Sequence, residues 1–567
     1  MPANYTALPA DNQEALQEVE AWSAVWRLTF NPDKCAAVHF THCQIAQPSL
    51  VLNQRLLKFK PVVRYLGVWL DEKLLFHEHV KQIGDKVSKR IGMARALVDK
   101  SVGLSQRRFI SIYTSCIRPC MEFAAVVWSS RANISRLKSL QLTCLRIATG
   151  ARRTTPHEAL EAWTGIQPLE LRFQELRCRL ISRSLRVPAH HPLHVARLAS
   201  ESRYKRQIGG TYCIHAPFFK ATSDASSLDI YRQEIQNPRQ PIQLIPPEAL
   251  GRATAPLEWN DKQDTKWQEI EESIKDTDTV LYTDGSVEDN PGKGGAAVYI
   301  QHNGREYRFR RSLGGLVTIS FAELTAIDMA ADWLLQKGPF RRVFILSDSK
   351  YSINVLKGRW KLSKHRSLVS SIRAKIRRIR AKCDIRLHKV PAHSAVHGNE
   401  CADKCAKSAM EESTPTVIHP VDYDTAKVMI KRAIKKRWQA LWRQNNTQMR
   451  QIMRKVAIKR RRHLDKFPRR KSTIITQLAT GHFPVANYFH EKQGAPSGAC
   501  VCGDSETVEH LLLHCDIHED ARADLLEEVH PFIDETSLEC LLFKNSNRPK
   551  CYNAIVNYLA TIDRLPF

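Results

Sequence analysis

One stretch constrains the fold more than any other: residues 276 to 412 alternate strand and helix. Thr279–Thr283, Ala296–Gln301 and Glu306–Arg311 read as three consecutive strands. Ser320–Gln336 reads as a helix, with Phe321, Leu324, Ile327, Ala331 and Leu334 on one side. Arg342–Ser347 has the pattern of a buried strand, two helices follow, then a strand at Asp384–Val390 and a helix from about Gly398. Three antiparallel strands followed by strand–helix alternation predict a mixed five-stranded sheet with helices on both faces, inside a multidomain α/β chain.

Four carboxylates fall where such a sheet gathers a metal site. Asp284 ends the first strand, Glu323 lies near the start of the amphipathic helix, Asp348 ends the fourth strand and Asp403 lies on the last helix. Taken singly, an Asp after a strand serves equally as a turn former or helix cap, and Asp284-Gly285 fits a hairpin turn. Converging carboxylates supply hard oxygen ligands, which suit Mg2+ or Mn2+. Two such ions serve in-line phosphodiester hydrolysis.

These residues come in a familiar context. Tyr282-Thr283-Asp284-Gly285-Ser286, Asn290-Pro291-Gly292-Lys293-Gly294-Gly295, Ala322-Glu323-Leu324, Ser347-Asp348-Ser349, Pro391-Ala392-His393-Ser394 and Gly398-Asn399-Glu400-Cys401-Ala402-Asp403 resemble type 1 ribonuclease H. The resemblance implies a ribonuclease H-like domain that cuts the RNA strand of RNA–DNA hybrids. It implies two Mg2+ ions on Asp284, Glu323, Asp348 and Asp403, and a mobile histidine, His393, that assists proton transfer or product release. The family usually carries Trp and Gly around that histidine, where this chain has Val390, Ala392 and Ala395, so a stiffer loop and altered turnover are expected. Arg359, Lys361, Lys364, Arg373 and Arg377 match the region where the family grips its hybrid. A solvated basic face is the competing reading of these five.

The chain carries 86 Lys+Arg against 58 Asp+Glu, a net charge of +28, which favours a polyanionic partner. Hydrophobic residues make up 43%, which excludes wholesale disorder. No run of about 18 apolar residues occurs, so no membrane partner is expected. The N-terminus has no basic-then-apolar leader, and an intracellular location, nucleus and/or cytoplasm, is expected. Nothing points to a small-molecule substrate. Fifteen cysteines are too few for a disulfide scaffold. Cys116, Cys144 and Cys178 sit among apolar residues and read as small core residues.

Flanking segments complete the organisation. Residues 1–185 read as mostly helical. Ala21-Trp22-Ser23, Phe30-Asn31-Pro32-Asp33-Lys34-Cys35 and Tyr65-Leu66-Gly67-Val68 resemble the palm end and thumb entry of a non-LTR retrotransposon reverse transcriptase. Gly150-Ala151-Arg152-Arg153-Thr154-Thr155-Pro156 resembles the region after that thumb. A strand is expected at Ala36–Phe40 and another from Val62 to Leu70. No Asp-Asp pair occurs in the first 250 residues, so no DNA synthesis is expected from this reverse-transcriptase remnant. Residues 186–275 are a proline-rich connector, and 413–495 a basic helical segment. There Trp438 and Trp442, four apart, suit either single-stranded nucleic acid or template RNA, or a core.

Residues 496–567 hold Cys500, Cys502, His510 and Cys515, ligand types for a structural Zn2+. Thr476-Gln477-Leu478, Thr480-Gly481-His482 and Glu509-His510-Leu511-Leu512 resemble the cysteine–histidine tail of non-LTR elements with ribonuclease H. The reading is therefore a hybrid-cutting enzyme within a truncated retrotransposon polyprotein. The alternative is a non-catalytic nucleic-acid-binding relic.

Overall fold

The computed structural model describes residues 9–31, 34–40, 47–98, 103–184, 191–193, 195, 267–362, 365–391, 396–412, 423–456 and 467–566. These fall into two compact units, Met1–Leu176 with Lys435–Phe567, and Arg177–Ile434. The expected connector lies outside the described residues except at its ends, as does part of the basic segment, residues 457–466.

In the second unit, helix α1 (Trp267–Ser273) is followed by β1 (Thr279–Val287), β2 (Gly292–His302), β3 (Arg305–Val317) and α2 (Ile319–Lys337). It continues with β4 (Arg342–Ser347), α3 (Lys350–Leu356), α4 (Arg366–Arg380), β5 (Asp384–Lys389) and α5 (His397–Glu411). The sheet order is β3-β2-β1-β4-β5. The β1–β2 and β2–β3 pairs are antiparallel, while β1–β4 and β4–β5 are parallel. This is the mixed sheet the alternation predicts. Successive β1 residues feed different cores, as a period of two requires. Leu281 joins Val298, Ile345 and the apolar stripe of α2 and α4, whereas Val280 and Tyr282 join Ile270, Phe344 and Ala402 of α5. Burial on both faces goes with the apolar runs Val280–Tyr282 of β1 and Val343–Leu346 of β4.

One boundary differs from expectation. Asp284 does not end β1; the strand runs three residues further, pairing Gly285 with Ala296 and Val287 with Gly294. Asp284-Gly285 is therefore no hairpin turn. The glycines of β2 let the ladder continue past the carboxylate.

In the first unit, helix His77–Arg95 buries Val80, Ile83, Val87 and Ile91, one face at helical spacing. They pack with Trp128, Leu137 and Leu145. Cys144 and Cys178 are buried and Cys116 is exposed, so the core reading fails for Cys116. The strand expected from Val62 to Leu70 is a hairpin, Val62–Tyr65 against Val68–Asp71. Its two-residue turn puts Leu66 and Gly67 at positive φ, which suits the twist of paired strands. Ala36–Phe40 forms no strand; Ala37 makes only an isolated bridge to Phe59. Trp438 and Trp442 are buried, and the Trp442 indole donates to the Met453 carbonyl, so this pair is core.

The sequence reading kept 1–185, 413–495 and 496–567 apart. The structure packs 435–567 onto the first 176 residues. Arg469, buried in helix Arg469–Thr480, donates to the carbonyls of Leu104, Ile147 and Ala148. A cation there satisfies the open carbonyls at the C-terminal end of helix Arg131–Thr149. Among the described residues, no helix is long and apolar enough to cross a membrane.

Candidate active site

Register places the first two carboxylates side by side. Thr283 of β1 pairs with Ser347 of β4 in parallel, so Asp284, still within β1, and Asp348, just past β4, lie at the same level on neighbouring strands. Gly285 brings in the third. A β-carbon at Gly285 would lie 2.4 Å from the Glu323 backbone nitrogen and 2.5 Å from the Ala322 carbonyl carbon. Only a glycine lets β1 touch the second turn of α2. Ligand oxygens of Asp284, Glu323 and Asp348 consequently lie within 4.8 Å of one another.

The electrostatics follow from this crowding. Burial first, then the charges of Asp348 and Asp403, push the Asp284 carboxyl up to about 7. Burial, with Asp284 and Asp348 beside it, pushes Glu323 well above the usual carboxylate range. The Gly285 N–H hydrogen-bonds to both carboxylates and partly offsets these shifts. Glu323 is 6% exposed, yet its Oε2 is buried with no protein partner. Three crowded anionic oxygen donors, one of them orphaned, fit a hard divalent cation.

Asp403 stands outside that 4.8 Å set. Its Oδ2 accepts a 2.7 Å hydrogen bond from Lys407 Nζ, one turn on along α5. The helix is drawn onto the sheet at Gly295, where a β-carbon would lie 2.2 Å from the Ala406 carbonyl oxygen. Lys407 was missed in the sequence, although an Asp four residues before a Lys is a legible helical pair. His393 lies outside the described residues, as does Lys364. Asn399 is buried at the start of α5 and Glu400 is exposed.

The basic residues separate by burial. Arg359 and Lys361 are exposed after α3, and Arg377 is half-buried on α4. Arg373 is 2% exposed and does not face solvent. Its guanidinium donates to the carbonyls of Val355 (2.6 Å) and Leu356 (3.3 Å), closing the C-terminus of α3. It belongs to the stripe Val369, Ile372 and Ile376 on the inner side of α4, which corrects its reading as a hybrid contact.

A second cluster lies in the first unit. Donor atoms of Cys500, Cys502, His510 and Cys515 lie within 4.8 Å of one another. The Cys500 and Cys515 sulfurs are 3.7 Å apart, and Cys502 Sγ lies 3.3 Å from His510 Nε2. Adjacent sulfurs on a tetrahedron with ~2.3 Å zinc bonds stand about 3.8 Å apart, so the donors have zinc-like spacing. Gly503 turns at φ +102° between the cysteine pair and the chain that returns to them. His514, a second histidine next to Cys515, is exposed and stands outside the cluster. Asp504 Oδ2 lies 3.9 Å from His510 Nδ1, beyond hydrogen-bond distance.

Comparison with known proteins agrees with this geometry. Residues 276–411 match the RNase H family model. A ribonuclease H of Tropheryma whipplei is 32% identical over 157 residues, 26% of this chain and 92% of that enzyme. The chain belongs to the ribonuclease H family. The RNA-directed DNA polymerase from the mobile element jockey of Drosophila melanogaster is 29% identical over 141 residues, 24% of this chain. The chain matches only 15% of the length of that polymerase. The chain is of the non-LTR retrotransposon polyprotein type with a ribonuclease H domain. The crystal structure of ribonuclease H1 from Halobacterium salinarum aligns with 24% of this chain and 97% of its own, at 23% identity and a TM-score of 0.21.

Proposed function

We propose that this ribonuclease H domain, of type 1, hydrolyses the RNA strand of RNA–DNA hybrids by a Mg2+-dependent, endonucleolytic reaction. The carrying observation is the convergence of buried Asp284 and Glu323 with half-buried Asp348, together with the orphaned Glu323 Oε2. These three, joined by Asp403, would hold two Mg2+ ions, with Mn2+ suited to the same donors. Bound there, the ions supply an activated water and charge stabilisation for a leaving 3′-oxygen.

The chain's own residues do the rest. Asp284 from within β1 and Asp348 from just past the end of β4 fix the donor oxygens, and Gly285 sets the distance of Glu323. Lys407 holds the Asp403 carboxylate and neutralises it while it waits. His393 moves a proton or helps the product leave. Arg359, Lys361 and Arg377 contact the phosphates of the hybrid, and Lys364 is assigned the same role by its place in the sequence.

The four-ligand Cys500/Cys502/His510/Cys515 cluster holds a structural Zn2+, with no position left open for chemistry. Residues 1–185 act as a reverse-transcriptase palm-end and thumb remnant without a polymerase aspartate pair, so this chain makes no DNA from a template. The location is intracellular. The deciding experiment is cleavage of a labelled hybrid by the full chain with Mg2+, against Asp348→Asn. Cutting that disappears in the variant is expected. A folded, metal-loaded wild type that does not cut sinks the enzyme reading and leaves a nucleic-acid-binding relic.

A further inference from the structure

Two sequence motifs with no part in the nuclease meet in the first unit, more than three hundred residues apart in the chain. One is Gly150-Ala151-Arg152-Arg153-Thr154-Thr155; the other runs from Gln477 through Gly481-His482 to Tyr488 and Phe489. Gly150 is the left-handed residue that ends helix Arg131–Thr149, at φ +67°. A β-carbon there would lie 2.4 Å from Thr473 Oγ1, so the corner presses directly onto helix Arg469–Thr480. The Gln477 amide donates to the Gly150 carbonyl at 3.1 Å. Thr154 and the Tyr488 hydroxyl are hydrogen-bonded at 2.8 Å. The Arg152 guanidinium lies over both rings, 5.1 Å from Tyr488 and 5.9 Å from Phe489.

The charge of this corner is one-sided. Arg146, on the last turn of its helix, is held below its ordinary value by burial and by the nearby Arg153. Among the described residues, no carboxylate pairs with Arg146, Arg152 or Arg153. Lys492 nearby is met by Glu491 at 3.6 Å. The corner is also rich in unspent polar atoms. Thr155 Oγ1 and Thr473 Oγ1, in residues each 1% exposed, are buried without a protein partner. The Nε groups of Arg146 and Arg152 are too. Clustered cations raise each other's energy unless an anion joins them. Guanidiniums set beside aromatic faces are what sequence-independent single-strand binding uses.

We propose that Arg146, Arg152 and Arg153, with Tyr488 and Phe489, form a binding site for the phosphate backbone of single-stranded nucleic acid. Arg152 and Arg153 take phosphate oxygens, and the half-exposed Phe489 ring offers a face for one base. The site is composite: neither motif builds it alone. It is independent of the nuclease carboxylates, and hybrid cleavage neither requires nor tests it.

The test uses the full chain and fluorescent oligonucleotides, titrated across salt. Arg152→Ala/Arg153→Ala should weaken single-strand binding roughly tenfold or more at low salt and lower the slope of log affinity against log salt by about 1.4. Arg131→Ala/Arg136→Ala removes the same charge from exposed positions at the other end of the same helix, and should leave both quantities unchanged. Arg153→Glu guards against misfolding, because Arg153 is exposed; it should weaken binding at unchanged Tm. Phe489→Ala should weaken binding with the slope unchanged. Equal losses in the two double variants would mean diffuse charge and overturn the proposal. So would wild-type binding by Arg153→Glu, or duplex bound as tightly as single strand.

Discussion

Replacing Gly285 by alanine tests whether one close approach assembles the nuclease site. The added β-carbon would lie 2.4 Å from the Glu323 nitrogen, 2.5 Å from the Ala322 carbonyl carbon and 2.8 Å from the Ala322 β-carbon. Ordinary contacts of this kind begin near 3.4 Å. The two elements must therefore part by about 1 Å, because two of the three atoms met are backbone and cannot rotate away. Overpacking of this kind costs about 1–3 kcal/mol, which lowers the Tm of a domain this size by several degrees. The larger effect is catalytic, since a displacement of about 1 Å costs on the order of 100-fold. The assay pairs thermal melting with kcat/KM on a short hybrid at saturating Mg2+. Gly338→Ala is the control, because its nearest atoms lie at 3.6 Å or beyond. Wild-type kcat/KM in Gly285→Ala would refute the assembly argument. A loss matched by Gly338→Ala would reduce it to general destabilisation.

Three other outcomes are expected. Asp284 has a raised carboxyl, so without metal its contribution to stability is full below the unfolded value near 4 and is lost as pH climbs to about 7. Asp284→Asn should thus raise the Tm of metal-free protein at pH 8 while abolishing cleavage; a lowered Tm there would contradict the repulsion reading. Arg373→Ala should destabilise by roughly 1–3 kcal/mol, because two helix-end carbonyls lose their donor, with KM for the hybrid unchanged. A raised KM at constant Tm would restore Arg373 to the binding surface. Cys502→Ser should lose bound zinc by elemental analysis and lower the melting temperature, and unchanged zinc content would exclude Cys502 as a ligand.

Asp284 and Asp348 were legible because each follows an apolar run, and Glu323 because it falls near the start of an apolar helix, but their reading as metal ligands, with Asp403, came from the resemblance to ribonuclease H. The extent of β1 was not, since Gly285 and Ser286 look like a turn; only pairing with a glycine-rich β2 keeps them extended. Arg373 shows a readable signal passed over. It falls four residues after Val369 and three before Ile376, on the apolar stripe, but a helix with six Lys and Arg suggests a wholly solvated face. Trp438 and Trp442 share a helical face in either reading, and only tertiary packing decides that it is buried. The meeting of Gly150 with Thr473 and Gln477 has no local signature, because no periodicity encodes a contact across such a separation.

Discontinuity gives that meeting a consequence in time. The first unit is interrupted by residues 177–434, which include the whole ribonuclease H domain. At roughly 5–20 residues per second, a ribosome spends about 10 to 50 s on that interval. For that period the helix ending at Gly150 lacks the Arg469 cap and the helix that packs on it, while the complete nuclease sheet has already been synthesised. The nascent chain thus completes its ribonuclease H domain before it closes the unit whose two segments precede and follow that domain in the sequence.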